Sequence, residues 1–218
     1  ILDGAKWLHW TGITPAISDG AAKITAEILK AAKQKGLTVS CDLNYRKKLW
    51  SKEKACQVMS ELVRYVDVLI SNEEDCKDVF GIEADGTDIN AGVVSAEGYT
   101  HIGKRLMKTF PNLKYVAFTL RESYSASRNG WSALLTDGDK AYVSKKYNID
   151  IVDRVGGGDS FGAGLIYSLI NDCGAQESIE FAVAASCLKH TVEGDFNIAS
   201  VDEVRKLAGG DGSGRVQR

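Results

Sequence analysis

The chain has 218 residues, 44% hydrophobic and 26% charged, enough for a sizeable core in one α/β domain or one and a half ordinary domains. A formal net charge of −2 and a pI near 6.0 argue against a partner such as nucleic acid or an anionic membrane. No apolar run has the length of a membrane span and no signal peptide opens the sequence. Five scattered cysteines (Cys41, Cys56, Cys76, Cys173 and Cys187), with no C-x-x-C pair, read as reduced thiols of a cytoplasmic protein. The three histidines (His9, His101 and His190) share no metal-ligand spacing.

In chain order, strands and helices alternate. Lys6 to Trp10 is strand-like, and a helix is expected from Ser18 or Asp19 to about Lys35, stopped at Gly36. GITPAIS between them reads as a proline-containing turn. Leu37 to Asp42 is a β run, a helix is expected from about Lys52 to Tyr65, and Val66 to Ile70 is a second β run. Ser71 to Glu74 has capping-box spacing and should open another helix. Gly81 to Val94 is polar and reads as a surface excursion, followed by a helix over Ala96 to Phe110 and a strand over Tyr115 to Leu120. Trp131 to Leu135 and Lys140 to Ser144 flank Asp137-Gly138, a hairpin signal. A helix after residue 156, one from Ser178 to His190, and one from the capping box Ser200 to Glu203 as far as Leu207 complete the pattern. Residues 1–208 are expected to form one α/β domain around a mostly parallel sheet covered on both faces, with 209–218 as a flexible tail.

The stretch DRVGGGDSFGAGLI, Asp153 to Ile166, stands out. Gly156, Gly157 and Gly158 strip side chains from a turn that opens a helix, where unpartnered N–H groups favour an anion. A phosphate cradle would ordinarily exclude a carboxylate, so Asp159 makes sense as a general base taking a proton from a hydroxyl. A glycine turn capped by aspartate is the plainer alternative. A Walker loop lacks its Lys-Ser or Lys-Thr here, and the dinucleotide fingerprint lacks its third glycine.

The pattern of Asp153, Gly156, Gly157, Gly158, Asp159, Ala163 and Gly164 resembles the second signature of the ribokinase-like (PfkB) carbohydrate kinases. Arg154 stands where that signature usually has Thr or Pro, and is similar to the version in 2-keto-3-deoxygluconate kinases. DLNYRKKLW, Asp42 to Trp50, resembles the D-x-N-x-R…L-W segment of the same subfamily, as do GITPAIS and the terminal SGRVQR. The resemblance implies a ribokinase-like three-layer sandwich. It also implies an N-terminal part bearing a sugar-binding glycine pair and lid strands. Neither is recognisable in this sequence, so the expectation is a chain without its lid.

By the same resemblance the reaction is MgATP-dependent phosphorylation of the 6-hydroxyl of 2-keto-3-deoxygluconate. Asp159 is implied as base, with Gly156, Gly157 and Gly158 as anion hole. Arg46, Asp195 and Ile13 are implied on the sugar-acid side. Asn44, Asn72, Thr119 and Arg121 fall on the nucleotide side, together with Gly156 and Gly158. SNEED resembles the family's N-x-x-E motif, with Asp75 in place of Glu, and implies Mg2+ held through water. A monovalent cation, K+, is implied beside Asp153. Homo-oligomerisation stays open. Two rivals remain: a ribokinase-like kinase for fructose, ribose or a nucleoside, and an inactive nucleotide-binding fragment.

Overall fold

A computed structural model describes residues 1–83 and 96–210. Most of the expected surface excursion, and residues 211–218 of the expected tail with SGRVQR, lie outside the described residues. The chain divides into two compact units, Ile1–Phe118 with Thr136–Ala141, and Thr119–Leu135 with Tyr142 onward.

In the first unit, strands β1 (Trp7–Thr11), β2 (Thr38–Asp42), β3 (Val68–Ser71) and β4 (Tyr115–Ser123, which continues past Phe118 into the second unit) lie side by side in that order. All three pairings are parallel: Trp7 faces Thr38, Ser40 faces Val68, and Val68 faces Tyr115. Val39, Ser40, Cys41 and every residue of β3 are buried, the composition of a sheet covered on both faces. Helix α1 (Ile13–Ala16) makes a single turn where the sequence suggested only a proline turn. Helix α2 (Asp19–Gln34) starts at Ser18, whose Oγ accepts the Ala21 N–H at 3.1 Å, and stops where Gly36 turns left-handed at φ +74°. Its buried face carries Thr25, Leu29 and Ala32. Helix α3 (Lys52–Leu62) follows β2, and α5 (Ala96–Thr109) precedes β4.

Helix α4 (Glu73–Phe80) corrects the expected cap. Its N-cap is Asn72, not Ser71, with Asn72 Oδ1 accepting the Asp75 N–H at 2.8 Å. Ser71 is the buried last residue of β3, and its Oγ is engaged with Asn72 O at 3.0 Å and Cys76 Sγ at 3.1 Å. Asp67, 4% exposed, pins the sheet from below. Its Oδ2 accepts from Lys33 Nζ at 2.6 Å and from the Val39 N–H at 2.9 Å, and Lys114 Nζ lies 3.3 Å from Oδ1.

The second unit contains β5 (Arg128–Thr136, up to Leu135), β6 (Ala141–Val143, from Tyr142) and β7 (Tyr147–Asp150). Strand β7 pairs antiparallel with β5 and was not anticipated. The Asp137-Gly138 hairpin forms as expected, in the first unit, with Gly138 at φ +92° and Asp137 Oδ1 accepting the Asp139 and Lys140 N–H groups. Helices α6 (Gly157–Ile170), α7 (Ala175–His190) and α8 (Val201–Gly209) complete the unit. Helix α6 approaches α7 closely because Gly164 has no side chain; a Cβ there would lie 3.0 Å from Ala182 Cα. Phe181, Ala184, Ala185 and Val204 form the core between α7 and α8. The capping box of α8 is present, Ser200 with Glu203. All five cysteines are free, and among the described residues no helix is long and apolar enough to cross a membrane.

Candidate active site

The signature turn opens α6 without any side-chain cap. Gly156 is the N-cap, left-handed at φ +76°, so Asp159 is not the cap that the plainer reading required. Asp159 is instead the third helical residue and is exposed. The Gly157 N–H donates to Arg154 O at 3.2 Å, so it is the first-turn N–H groups beyond it, with the positive end of the dipole, that face an anion. Each glycine has a different reason to lack a side chain. A Cβ on Gly156 would meet Asp195 O, one on Gly157 would lie 2.5 Å from the His190 ring, and one on Gly158 would meet nothing within 4 Å. Gly158 therefore faces open space, as a ligand cradle requires.

Supports beneath the turn include residues to which the sequence assigned no role there. Ser186 Oγ donates to Gly157 O at 2.8 Å. His190 is buried, its Nδ1 2.7 Å from Ser186 O and its ring 5.0 Å from that of Trp131. Burial pushes the His190 imidazole below its ordinary pKa, against the opposing Ser186 carbonyl. A neutral ring whose Nδ1–H donates to Ser186 O follows from that geometry. Arg154 reaches the hairpin tip between β4 and β5, donating to Ala126 O and, at 3.4 Å, to Asn129 Oδ1. Asn129 is fully buried and turns its Nδ2 to Ser123 Oγ at 3.2 Å.

Asp153 works as a latch. Oδ1 accepts the Val155 N–H and Oδ2 the Gly194 N–H, each at 2.9 Å. These two donors, Val155 first, hold its carboxyl below the usual carboxylate range, with Lys189 adding to the effect. Asp159 and Asp195 line one cavity of about 340 Å3, together with Ser160, Ala163, Phe196 and Asn197. Thr119 is half-buried and Arg121 exposed, two residues apart on one face of β4. Arg121 lies within electrostatic reach of His190.

The first unit gathers the other candidates at the ends of β1, β2 and β3, where open parallel sheets present ligand sites. Asn44 sits at φ +41° and its Nδ2 donates to Thr11 Oγ1 at 3.1 Å, the same oxygen that accepts the Ile13 N–H at 3.4 Å. Gly12 lets the two loops touch, since a Cβ there would lie 2.1 Å from Leu43 O. Asp75 Oδ2 accepts the Tyr45 N–H at 3.2 Å, tying α4 to the loop that carries Asn44 and Arg46. Burial pushes the Asp75 carboxyl up to about 6, with the Tyr45 N–H and Arg46 pulling it down. Among the described residues Arg46 hydrogen-bonds locally, to Tyr45 O at 3.3 Å. Asn72 Oδ1 is engaged in the cap, and Asp75 supplies the carboxylate of the N-x-x-E-like pair. Among the described residues no group of three or more His, Cys, Asp or Glu side chains is placed to hold a metal ion.

An uncapped glycine turn followed by an exposed carboxylate sets an anion cradle beside a candidate base, two parts that phosphoryl transfer uses. The chain belongs to the pfkB family of carbohydrate kinases, which it matches over residues 1–201. It is similar to a 2-dehydro-3-deoxygluconokinase from Thermotoga maritima, 48% identical with a TM-score of 0.90, over 96% of this chain and 62% of that one. A 2-dehydro-3-deoxygalactonokinase from Haloferax volcanii is 30% identical over 97% of this chain and 60% of its own length. An E. coli structure in complex with ATP and Mg2+, 16% identical with a TM-score of 0.71, covering 94% of this chain and 59% of that one, shares the fold. The fold is thus ribokinase-like, and the chain spans about 60% of the length of these relatives.

Proposed function

We propose that this chain carries the anion hole and general base of an ATP-dependent kinase acting on the 6-hydroxyl of 2-keto-3-deoxygluconate, giving 2-keto-3-deoxy-6-phosphogluconate. The observation that carries the reading is the side-chain-free start of α6, with Asp159 exposed two residues beyond its first helical residue. Kinship supplies the substrate class, because the Thermotoga relative is named for this sugar acid under its synonym 2-dehydro-3-deoxygluconate.

In this reading the sugar hydroxyl oxygen attacks the γ-phosphorus, the bond to the β-phosphate oxygen breaks, and the hydroxyl proton passes to Asp159. The Gly156 to Gly158 backbone steadies the anionic phosphate. Arg46 meets the sugar-acid carboxylate or the phosphate, its planar fork matching either in two-point geometry. Asp195 and Ile13 serve the sugar side, and Asn44, Asn72, Thr119 and Arg121 the nucleotide side. Bound Mg2+ would neutralise charge between phosphates, an ion that keeps most of its waters and needs few carboxylates. Asp75 suits contact through water, being partly buried and already engaged by Tyr45.

Turnover with ATP should be higher on 2-keto-3-deoxygluconate than on fructose, and Asp159→Asn should lower it ~10²–10⁴-fold while sparing nucleotide affinity. Near-normal turnover of the Asn variant would overturn Asp159 as base. Equal turnover on fructose would overturn the sugar-acid assignment.

A further inference from the structure

Lys189 is fully buried in the last turn of α7. Its Nζ donates to Val192 O at 3.0 Å, and among the described residues no carboxylate forms an ion pair with it. Lysine is almost never fully buried unless paired, because stripping an ammonium of water is costly. Two features offset the cost here. The C-terminal end of a helix favours a cation, and the charge of Lys189 acts on the Asp153 carboxylate. The loop after α7 folds back over the side chain. Val192 N–H returns to Lys189 O at 3.1 Å, Gly194 N–H goes to Asp153 Oδ2, and Asp153 N–H goes to His190 O at 3.3 Å. One ammonium is thereby enclosed by the strap that fastens the signature turn.

The monovalent cation implied beside Asp153 does not fit this arrangement. A hard cation needs several oxygen ligands. Here Lys189 Nζ holds Val192 O at 3.0 Å and its charge already acts on the Asp153 carboxylate, so a second cation beside them would meet like-charge repulsion. The positive charge is supplied by the chain.

We propose that Lys189 is a positioning residue, a built-in cation that holds Asp153 and the 190–194 loop against the signature turn, so that the turn needs no K+. The inference rests on the kinase reading for its catalytic consequence, though not for its structural one.

The test compares KCl with tetramethylammonium chloride at equal ionic strength, reading unfolding temperature and turnover for the unaltered chain, Lys189→Met and Lys189→Gln. The unaltered chain should show no difference between the salts in either readout. Lys189→Met should lose turnover in tetramethylammonium and regain it in K+, which should also raise its unfolding temperature by about 3 °C, as expected for an ion that binds only the folded form. Lys189→Gln keeps a donor toward Val192 O but no charge and should follow Met, which guards against a Met variant that fails to fold. The proposal is overturned if K+ stabilises or activates the unaltered chain, if either variant matches that chain in tetramethylammonium, or if K+ rescues neither. Unfolding temperature reads the cation site even where no sugar is phosphorylated, so failure of the kinase reading and failure of this one are separable.

Discussion

The carbonyl oxygen of Asp195 occupies the place that a side chain on Gly156 would need, 2.1 Å from the position of its Cβ. Backbone packs against backbone there, and Gly156 is left-handed besides, at φ +76°. Gly156→Ala must therefore move the 194–197 loop or unwind the turn, at a stability cost of about 1–3 kcal/mol. A misplaced turn should also lower turnover ~10²-fold. Gly158→Ala is the contrast, because nothing lies within 4 Å of its Cβ. Its unfolding free energy from urea melts should stay within about 0.5 kcal/mol of that of the unaltered chain, while turnover falls as the methyl group intrudes on the cradle. Equal stability losses at both positions would contradict this division of roles.

Asp75 predicts opposed pH trends. Its folded-state value of about 6 lies above the ordinary 3.8, chiefly through burial. The folded state therefore binds the proton more tightly, and stability declines as pH rises from about 4 to about 6. Asp75→Asn keeps an oxygen for the Tyr45 N–H but cannot ionise, so it should gain stability relative to aspartate across that window. If the ionised carboxylate serves Mg2+ through water, turnover should climb across the same window with Asp75 and stay low and flat with Asn. Urea midpoints and initial rates at a series of pH values check both trends.

Asp67 predicts the opposite slope. Burial alone would raise its carboxyl, but Lys33, the Val39 N–H and Lys114 overcome that and hold it below the usual range. Its stabilisation is complete above the unfolded value near 3.8 and is lost as pH falls through the lower folded value. Asp67→Asn should cost about 2 kcal/mol at neutral pH. The gap between the urea midpoints of the two proteins should narrow progressively as pH falls below the ordinary value of 3.8. A gap unchanged in acid would show that packing, not charge, carries the effect.

Much of the frame was legible because its signals are local. Alternating β runs and helices, the Asp137-Gly138 hairpin and the Ser200 capping box each depend on neighbours within a few residues. The start of α4 was misplaced by one residue because Ser71 and Asn72 are both good caps. Burial of the β3 end decided between them, which a single sequence does not display. Strand β7 is only Tyr147 to Asp150, and its pairing depends on β5. Within the site, Gly156 to Asp159 announced themselves by composition. Lys189 did not, since a lysine ending a helix is ordinary, and its burial comes from a loop that doubles back upon it.

The contact between Arg154 and Asn129 has a consequence for how such sequences can diverge. With its Nδ2 committed to Ser123, the fully buried Asn129 turns its Oδ1 toward the guanidinium. Replacing Arg154 by the threonine common in the signature would strand that oxygen, and a buried acceptor without a donor costs about 1–3 kcal/mol. Positions 154 and 129 are thus energetically coupled in this chain. A lineage that changes one is under pressure to change the other, even though 25 residues separate them along the chain.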